Sequence, residues 1–326
     1  MRNISLAFLS LLAILLLMAA CVPVAPEEAV VEPEQPSLRI VTSGTILANH
    51  IYNIAGNHAT IDQIVPPGAD PHTYEPTPSD AVKLSEAELV IVRGASNSEA
   101  VRRRLASIVG DENQVVLIAP LALEPEDYIY DEFGSIDQHM GGDAMLALKI
   151  AGVIRDTLVD QDPANADSYN ANYDEFAARI AELDAAIRAV TASIPEENRQ
   201  LYSYHDSFSY FARRYGYTIV GTLQPHDFSE PSALDVAEAI ELLRELDLPA
   251  IFGSSFSPSP VLEQISREAD VPIYWYDDDN LPGEPGDPEH SFFYMKVQNQ
   301  RALAEALGGD PTLMDHIETR NIPETE

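Results

Sequence analysis

Eight histidines carry most of the chemical potential of this chain: His50, His58, His72, His139, His205, His226, His290 and His316. The chain has a single cysteine, Cys21, so it can form no intramolecular disulfide and no cysteine-clustered zinc or iron–sulfur site. Any metal chemistry must come from imidazoles and carboxylates. Three of the histidines stand where such chemistry is expected. His205 directly follows the strand-like run Leu201–Tyr204, at the carboxyl end, where open α/β sheets form their ligand crevice. His72 lies within residues 66–80, a loop stiffened by several prolines and a glycine. His139 lies in Asp137-Gln138-His139-Met140-Gly141-Gly142, just ahead of a helix expected to begin near Asp143. Asp277 follows the run Ile273–Tyr276 in the same way that His205 follows its strand. These four are separated by 67, 66 and 72 residues, which is no local motif. They form a site only if the fold gathers their loops.

The elements that would have to gather them are readable from the patterning. Short β-rich runs alternate with longer helical stretches, the mark of α/β layering. Strands are expected at Leu38–Ser43, Ala59–Val65, Leu89–Val92 and Gln114–Ile118, and again at Leu201–Tyr204, Thr218–Gly221, Ala250–Phe252 and Ile273–Tyr276. Between the two sets, Tyr169, Tyr173, Phe176, Ile180, Leu183, Ile187, Val190 and Ile194 keep a 4,3,4,3 rhythm. Asp162 and Pro163 suit its start and Pro195 its end. A helix over 162–194 would be a rod of about 45 Å, long enough to run along two lobes. The expected division is a lobe at 38–160, the linking helix at 162–194, a second lobe at 197–310 and a loosely held acidic tail at 311–326. Thr77 with Asp80, Ser232 with Asp235, and Ser259 with Pro260 mark further helix starts.

Charge and the N-terminus narrow the setting. There are 53 acidic against 19 basic side chains, a formal net charge of −34, which excludes nucleic-acid binding as a main function. Most of these carboxylates serve solubility, though an acidic surface also concentrates cations. Residues 1–21 carry Arg2, an apolar run from Ile4 to Met18, and Ala19-Ala20 leading into Cys21. The stretch resembles a bacterial lipoprotein signal, with Cys21 as the lipidated residue. Residues 22–37, rich in proline and glutamate, read as a flexible tether.

Beyond these patterns, the stretch Val65-Pro66-Pro67-Gly68-Ala69-Asp70-Pro71-His72-Thr73-Tyr74-Glu75-Pro76-Thr77-Pro78-Ser79-Asp80 resembles a family signature nearly residue for residue. Leu84–Val90, Asp162-Pro163-Ala164-Asn165-Ala166, Tyr204–Phe211 and Pro285-Gly286-Asp287 extend the likeness over about 38–308. The family is the cluster A-I, zinc- and manganese-type metal-binding lipoproteins, the solute-binding components of bacterial ABC importers. The resemblance implies two α/β lobes joined by one long helix, with a metal between them. It implies ligands at His72, His139, His205 and an aspartate after the last strand, assigned to Asp277 with Asp278 and Asp279 as alternatives. It further implies an ABC permease as partner, a monomer, and an extracytoplasmic location in which only the N-terminal lipid meets the membrane. Two departures stand out. Asp137-Gln138-His139 replaces the usual Asp-Pro-His, and the acidic stretch Glu124–Asp137 replaces the His-rich loop of many zinc-type members.

Three imidazoles and one carboxylate suit Zn(2+) as the transported ligand. Manganese-type members of the family typically have glutamate at the position of His205, so Mn(2+) (or iron) is the alternative cargo. A secreted zinc hydrolase is a reading of another class, but no HExxH or GxSxG segment occurs. No enzymatic activity is expected; an added adhesin role is compatible with the same fold. Of the remaining histidines, His290 beside Glu289 could form an accessory metal site, but a plain hydrated loop is the favoured expectation.

Overall fold

The computed structural model describes residues 38–94, 98–130, 134–224, 231–256 and 258–324. The signal at 1–21 with Cys21, the tether at 22–37 and His226 lie outside the described residues. All eight strands expected from the sequence are present. The first sheet contains β1 (Leu38–Thr42), β2 (Ala59–Gln63), β3 (Leu89–Val92) and β4 (Val115–Leu117), ordered β2-β1-β3-β4 and wholly parallel. The second repeats that order with β5 (Gln200–His205), β6 (Thr218–Gln224), β7 (Ile251–Gly253) and β8 (Ile273–Trp275), as β6-β5-β7-β8. In each sheet the chain reverses direction beside the first strand, so each lobe has a switch point where loops splay apart at the carboxyl ends.

The inner strands β1 and β3 are largely apolar and buried because both of their faces are covered. Ile40, Leu89 and Ile91 face one hydrophobic cluster, while Val41 and Val90 face another on the opposite side. The first lobe carries helices α1 (Thr45–Ala55), α2 (Pro78–Glu86), α3 (Ser98–Val109), α4 (Ile118–Ala122) and α5 (Ala144–Gln161). The link is α6 (Ala166–Ser193), 28 residues and about 42 Å long. The second lobe adds α7 (Ser209–Tyr215), α8 (Ala233–Glu245), α9 (Pro260–Ala269) and α10 (Phe292–Leu307).

Helix α6 starts later than its sequence signals imply. Pro163–Asn165 form a 3-10 turn, and Asp162 accepts hydrogen bonds from Asn165 Nδ2 at 2.7 Å and Tyr169 Oη at 2.6 Å. The aspartate therefore anchors the first turn from outside it. Of the eight apolar positions all but the half-buried Tyr173 are buried, in one cluster with Ile51, Ile54, Leu201, Phe252, Phe292 and Phe293. This core belongs to both lobes. Truncating a fully buried phenylalanine such as Phe176 typically costs about 3–5 kcal/mol.

The loosely held tail is corrected by the structure. Met314, Ile317, Asn321 and Ile322 are buried. Ile322 N donates to Asn53 Oδ1 at 2.8 Å, and Arg179 Nη1 donates to Arg320 O at 3.0 Å. Asp315 and Glu324 are exposed, while the sparse apolar residues of the segment close the core over α1 and α6.

Candidate metal centre

The four loops meet between the lobes. His72 comes from the loop between β2 and α2, His139 from the turn before α5, His205 from the last residue of β5, and an aspartate from the loop after β8. That aspartate is Asp279. Its Oδ1 lies 3.2 Å from His139 Nε2, and its Oδ2 lies 3.4 Å from His72 Nε2 and 3.8 Å from His205 Nε2. The Nε2 atoms of His139 and His205 are 3.1 Å apart. One donor atom from each of the four lies within 4.8 Å of all the others.

Of the three candidate aspartates, Asp279 rather than Asp277 stands beside the histidines. Tyr276 N still donates to Gly253 O at 2.9 Å, so the chain continues alongside β7 for a residue past β8. Asp277 is consequently captured by Ser254 Oγ at 3.0 Å, Ser255 N at 2.8 Å and Ser255 Oγ at 2.7 Å. Asp278 turns inward to a buried ion pair with Lys296 on α10. Only at Asp279 has the chain turned far enough to present a carboxylate to the histidines. Three consecutive acids thus have three different partners.

Two histidines share a local device. Asp70 Oδ1 accepts from His72 N at 2.9 Å, and Asp137 Oδ1 accepts from His139 N at 2.8 Å. Each Asp-x-His segment is a turn in which the acid fixes the backbone carrying the imidazole. Asp137 Oδ1 also lies 2.7 Å from His139 Nδ1, which fixes that ring and leaves Nε2 for the cluster. Arg93 Nη1 donates to Gln138 O at 2.6 Å and steadies the same turn. The His72 loop is tied down by Asp80, whose Oδ2 accepts from Tyr74 Oη, Thr77 N and Thr77 Oγ1, each at 2.8 Å. The stretch replacing a His-rich loop is partly folded: Tyr130 pairs with Ile136, and Tyr128, Ile129 and Ile136 pack near Met140 and Tyr210.

The electrostatics follow from burial and crowding. Burial alone would lower His139, but the carboxylates of Asp279 and Asp137 override it and raise its pKa to about 10. Burial and the neighbouring His139 lower His205 to about 4. Burial opposes ionisation of Asp279, yet the charge of His139 and hydrogen bonds from His139 and His72 hold it well below the usual carboxylate range. The directions agree: the imidazole of His139 is held in its charged form by ionised carboxylates on both sides. A tetrahedral zinc with bonds near 2.0–2.1 Å separates its ligand atoms by about 3.3 Å. Taking for each histidine the Asp279 oxygen nearer to it, the separations of 3.1–3.8 Å lie around that value, and with one donor atom per residue all four fall within 4.8 Å of one another.

The other described histidines have structural partners. His50 is buried edge-on against Phe176 and Phe292, and His58 stands edge-on to Tyr169. His290 Nδ1 lies 3.1 Å from Pro282 O and 3.2 Å from Gly283 O in a buried position, which does not match either a hydrated loop or a metal pair with Glu289. His316 lies on the surface, 3.9 Å from Glu182.

Residues 40–306 match the family model ZnuA, described as the periplasmic component A of a zinc-uptake complex. The chain belongs to this family. The ZnuA-family relatives differ in the metals that their names carry. The manganese-binding lipoprotein MntA of Halalkalibacterium halodurans is 30% identical over 84% of this chain and 88% of its own length. The iron-binding protein YfeA of Yersinia pestis is 32% identical, over 83% of this chain and 86% of its own. Among solved structures, the periplasmic zinc-binding protein TroA from Treponema pallidum superposes with a TM-score of 0.76 at 26% identity, covering 83% of this chain and 99% of that one. Among the described residues of this ZnuA-family chain, no helix is long and apolar enough to cross a membrane.

Proposed function

We propose that this protein captures zinc outside the cytoplasm and delivers it to the permease of an ABC importer. The observation that carries the reading is the convergence of three imidazole nitrogens and one carboxylate on one point between the lobes. Nitrogen-rich sets favour zinc over manganese, and the Irving–Williams order acts in the same direction. With His72, His139, His205 and Asp279 all coordinating, a tetrahedral ion has no position left for an activated water, so the site suits capture rather than hydrolysis. Relatives named for manganese and iron make those metals the second reading.

Competition binding at neutral pH tests the cargo. Zinc is expected to outcompete manganese by a wide margin, and His205→Glu to narrow that margin by supplying a harder oxygen donor. Manganese displacing zinc from the wild-type protein at comparable concentration would overturn the zinc reading. We further propose that the protein works as a monomer anchored through a lipid on Cys21. Cys21→Ala is then expected to leave the membrane fraction or to accumulate unprocessed, and fractionation identical to wild type would contradict the anchor.

A further inference from the structure

Two buried polar side chains, one of them next to Asp279 in the chain, join the lobes and are not among the four grouped residues. Thr45 is the first residue of α1 in the first lobe, and Asn280 follows Asp279 in the second; each is only 1% exposed. Thr45 Oγ1 hydrogen-bonds Asn280 Oδ1. Leu281 N donates to Thr45 Oγ1 at 2.9 Å and to Asn280 Oδ1 at 3.2 Å. The other end of the Asn280 amide donates from Nδ2 to Ala69 O at 2.8 Å. Ala69 immediately precedes Asp70, the acid that fixes the backbone of His72. One connected path therefore runs from the Asp279 loop through a single carboxamide to the His72 loop.

We propose that Thr45 and Asn280 are positioning residues, a latch between the lobes that sets the geometry and release rate of the metal held by His72 and Asp279. The inference rests on the reading of those residues as metal ligands. Its physical basis is that His72 and Asp279 come from the loops of different sheets, and this path ties those loops together through backbone and side-chain groups other than the two candidate ligands themselves. Both ends of the Asn280 amide are used, so any opening of the two loops leaves buried polar groups unpaired. Departure of an ion held by the two loops then requires these hydrogen bonds to yield.

The test compares Thr45→Val, which removes the hydroxyl at nearly constant volume, and Asn280→Ala with Thr45→Ser, which keeps the hydroxyl. Zinc release to an excess of chelator, the visible spectrum of the cobalt-substituted protein and the melting temperature of the metal-free protein are measured for each. Thr45→Val and Asn280→Ala are expected to release zinc about tenfold faster or more, in the range seen when partners of metal ligands are removed. They are also expected to weaken the intense bands of four-coordinate cobalt, with Thr45→Ser behaving as wild type. If Thr45→Val and Asn280→Ala lower the melting temperature while release and spectrum stay as in wild type, the two residues only hold the fold, and the proposal is overturned. A wild-type protein that gives no four-coordinate cobalt spectrum would instead overturn the metal site itself, and the latch with it.

Discussion

At the scale of single residues, the site is a contest between protons and metal for the same nitrogens. His205, lowered to about 4, is already neutral across the physiological range and ready to coordinate. His139, raised to about 10, holds a proton throughout that range and must lose it to bind. Metal uptake at neutral pH is therefore expected to expel a proton from His139 and none from His205, and affinity is expected to fall as pH falls. Measuring the proton released per zinc in weak buffer between pH 6 and pH 8 checks this; uptake without proton release would contradict it. The three histidines were legible in the sequence because each lies in a loop or at a strand end of recognisable type. The repeated Asp-x-His spacing at Asp70 and Asp137 is a local sequence signal for the turn that holds each of those histidines. The choice among Asp277, Asp278 and Asp279 was not legible. It depends on how far the chain follows β7 before turning, which Ser254, Ser255 and Lys296 decide from distant parts of the sequence.

At the scale of elements, the loop carrying His72 is only as firm as its anchor at the start of α2. Thr77 and Asp80 form a capping box there, as the Thr-Pro-Ser-Asp order implies. Burial would raise the Asp80 carboxyl, but hydrogen bonds from Thr77, Tyr74 and Lys83 outweigh it and hold the pKa at about 2. The sign follows directly. A carboxyl lowered in the folded state stabilises the fold above its ordinary value near 4, and that contribution disappears as pH falls through about 2. Asp80→Asn removes the charge from a buried cap with several donors, so a loss of about 1–3 kcal/mol is expected at neutral pH. Because the same carboxylate holds Tyr74, the variant should also bind zinc more weakly. Thermal melting together with zinc titration checks both, and a variant with unchanged melting and unchanged affinity would contradict the role given to this cap. Strand and cap positions were legible at this scale because they are local. The start of α6 was displaced because Asp162 reaches forward to Tyr169, a contact that no capping pattern encodes.

At the scale of the whole molecule, one hydrophobic core runs from the first sheet through α6 into the second, and the carboxy-terminal segment closes over it. The alternating pattern identified two lobes and a linking rod, since each depends on periodicity along the chain. That the segment after Gly309 packs rather than trails was not legible, because Met314, Ile317 and Ile322 are too sparse to form a period. What the whole fold achieves is to bring two candidate ligands from each half of the chain to one point: His72 and His139 before the linking helix, His205 and Asp279 after it. X-ray absorption at the zinc edge of the loaded protein tests that convergence most directly. The expected result is a four-coordinate shell near 2.0–2.1 Å with the scattering of three imidazoles and one oxygen, losing its oxygen contribution or its zinc in Asp279→Ala. A shell with fewer than three imidazoles, or one left unchanged by Asp279→Ala, would contradict the account.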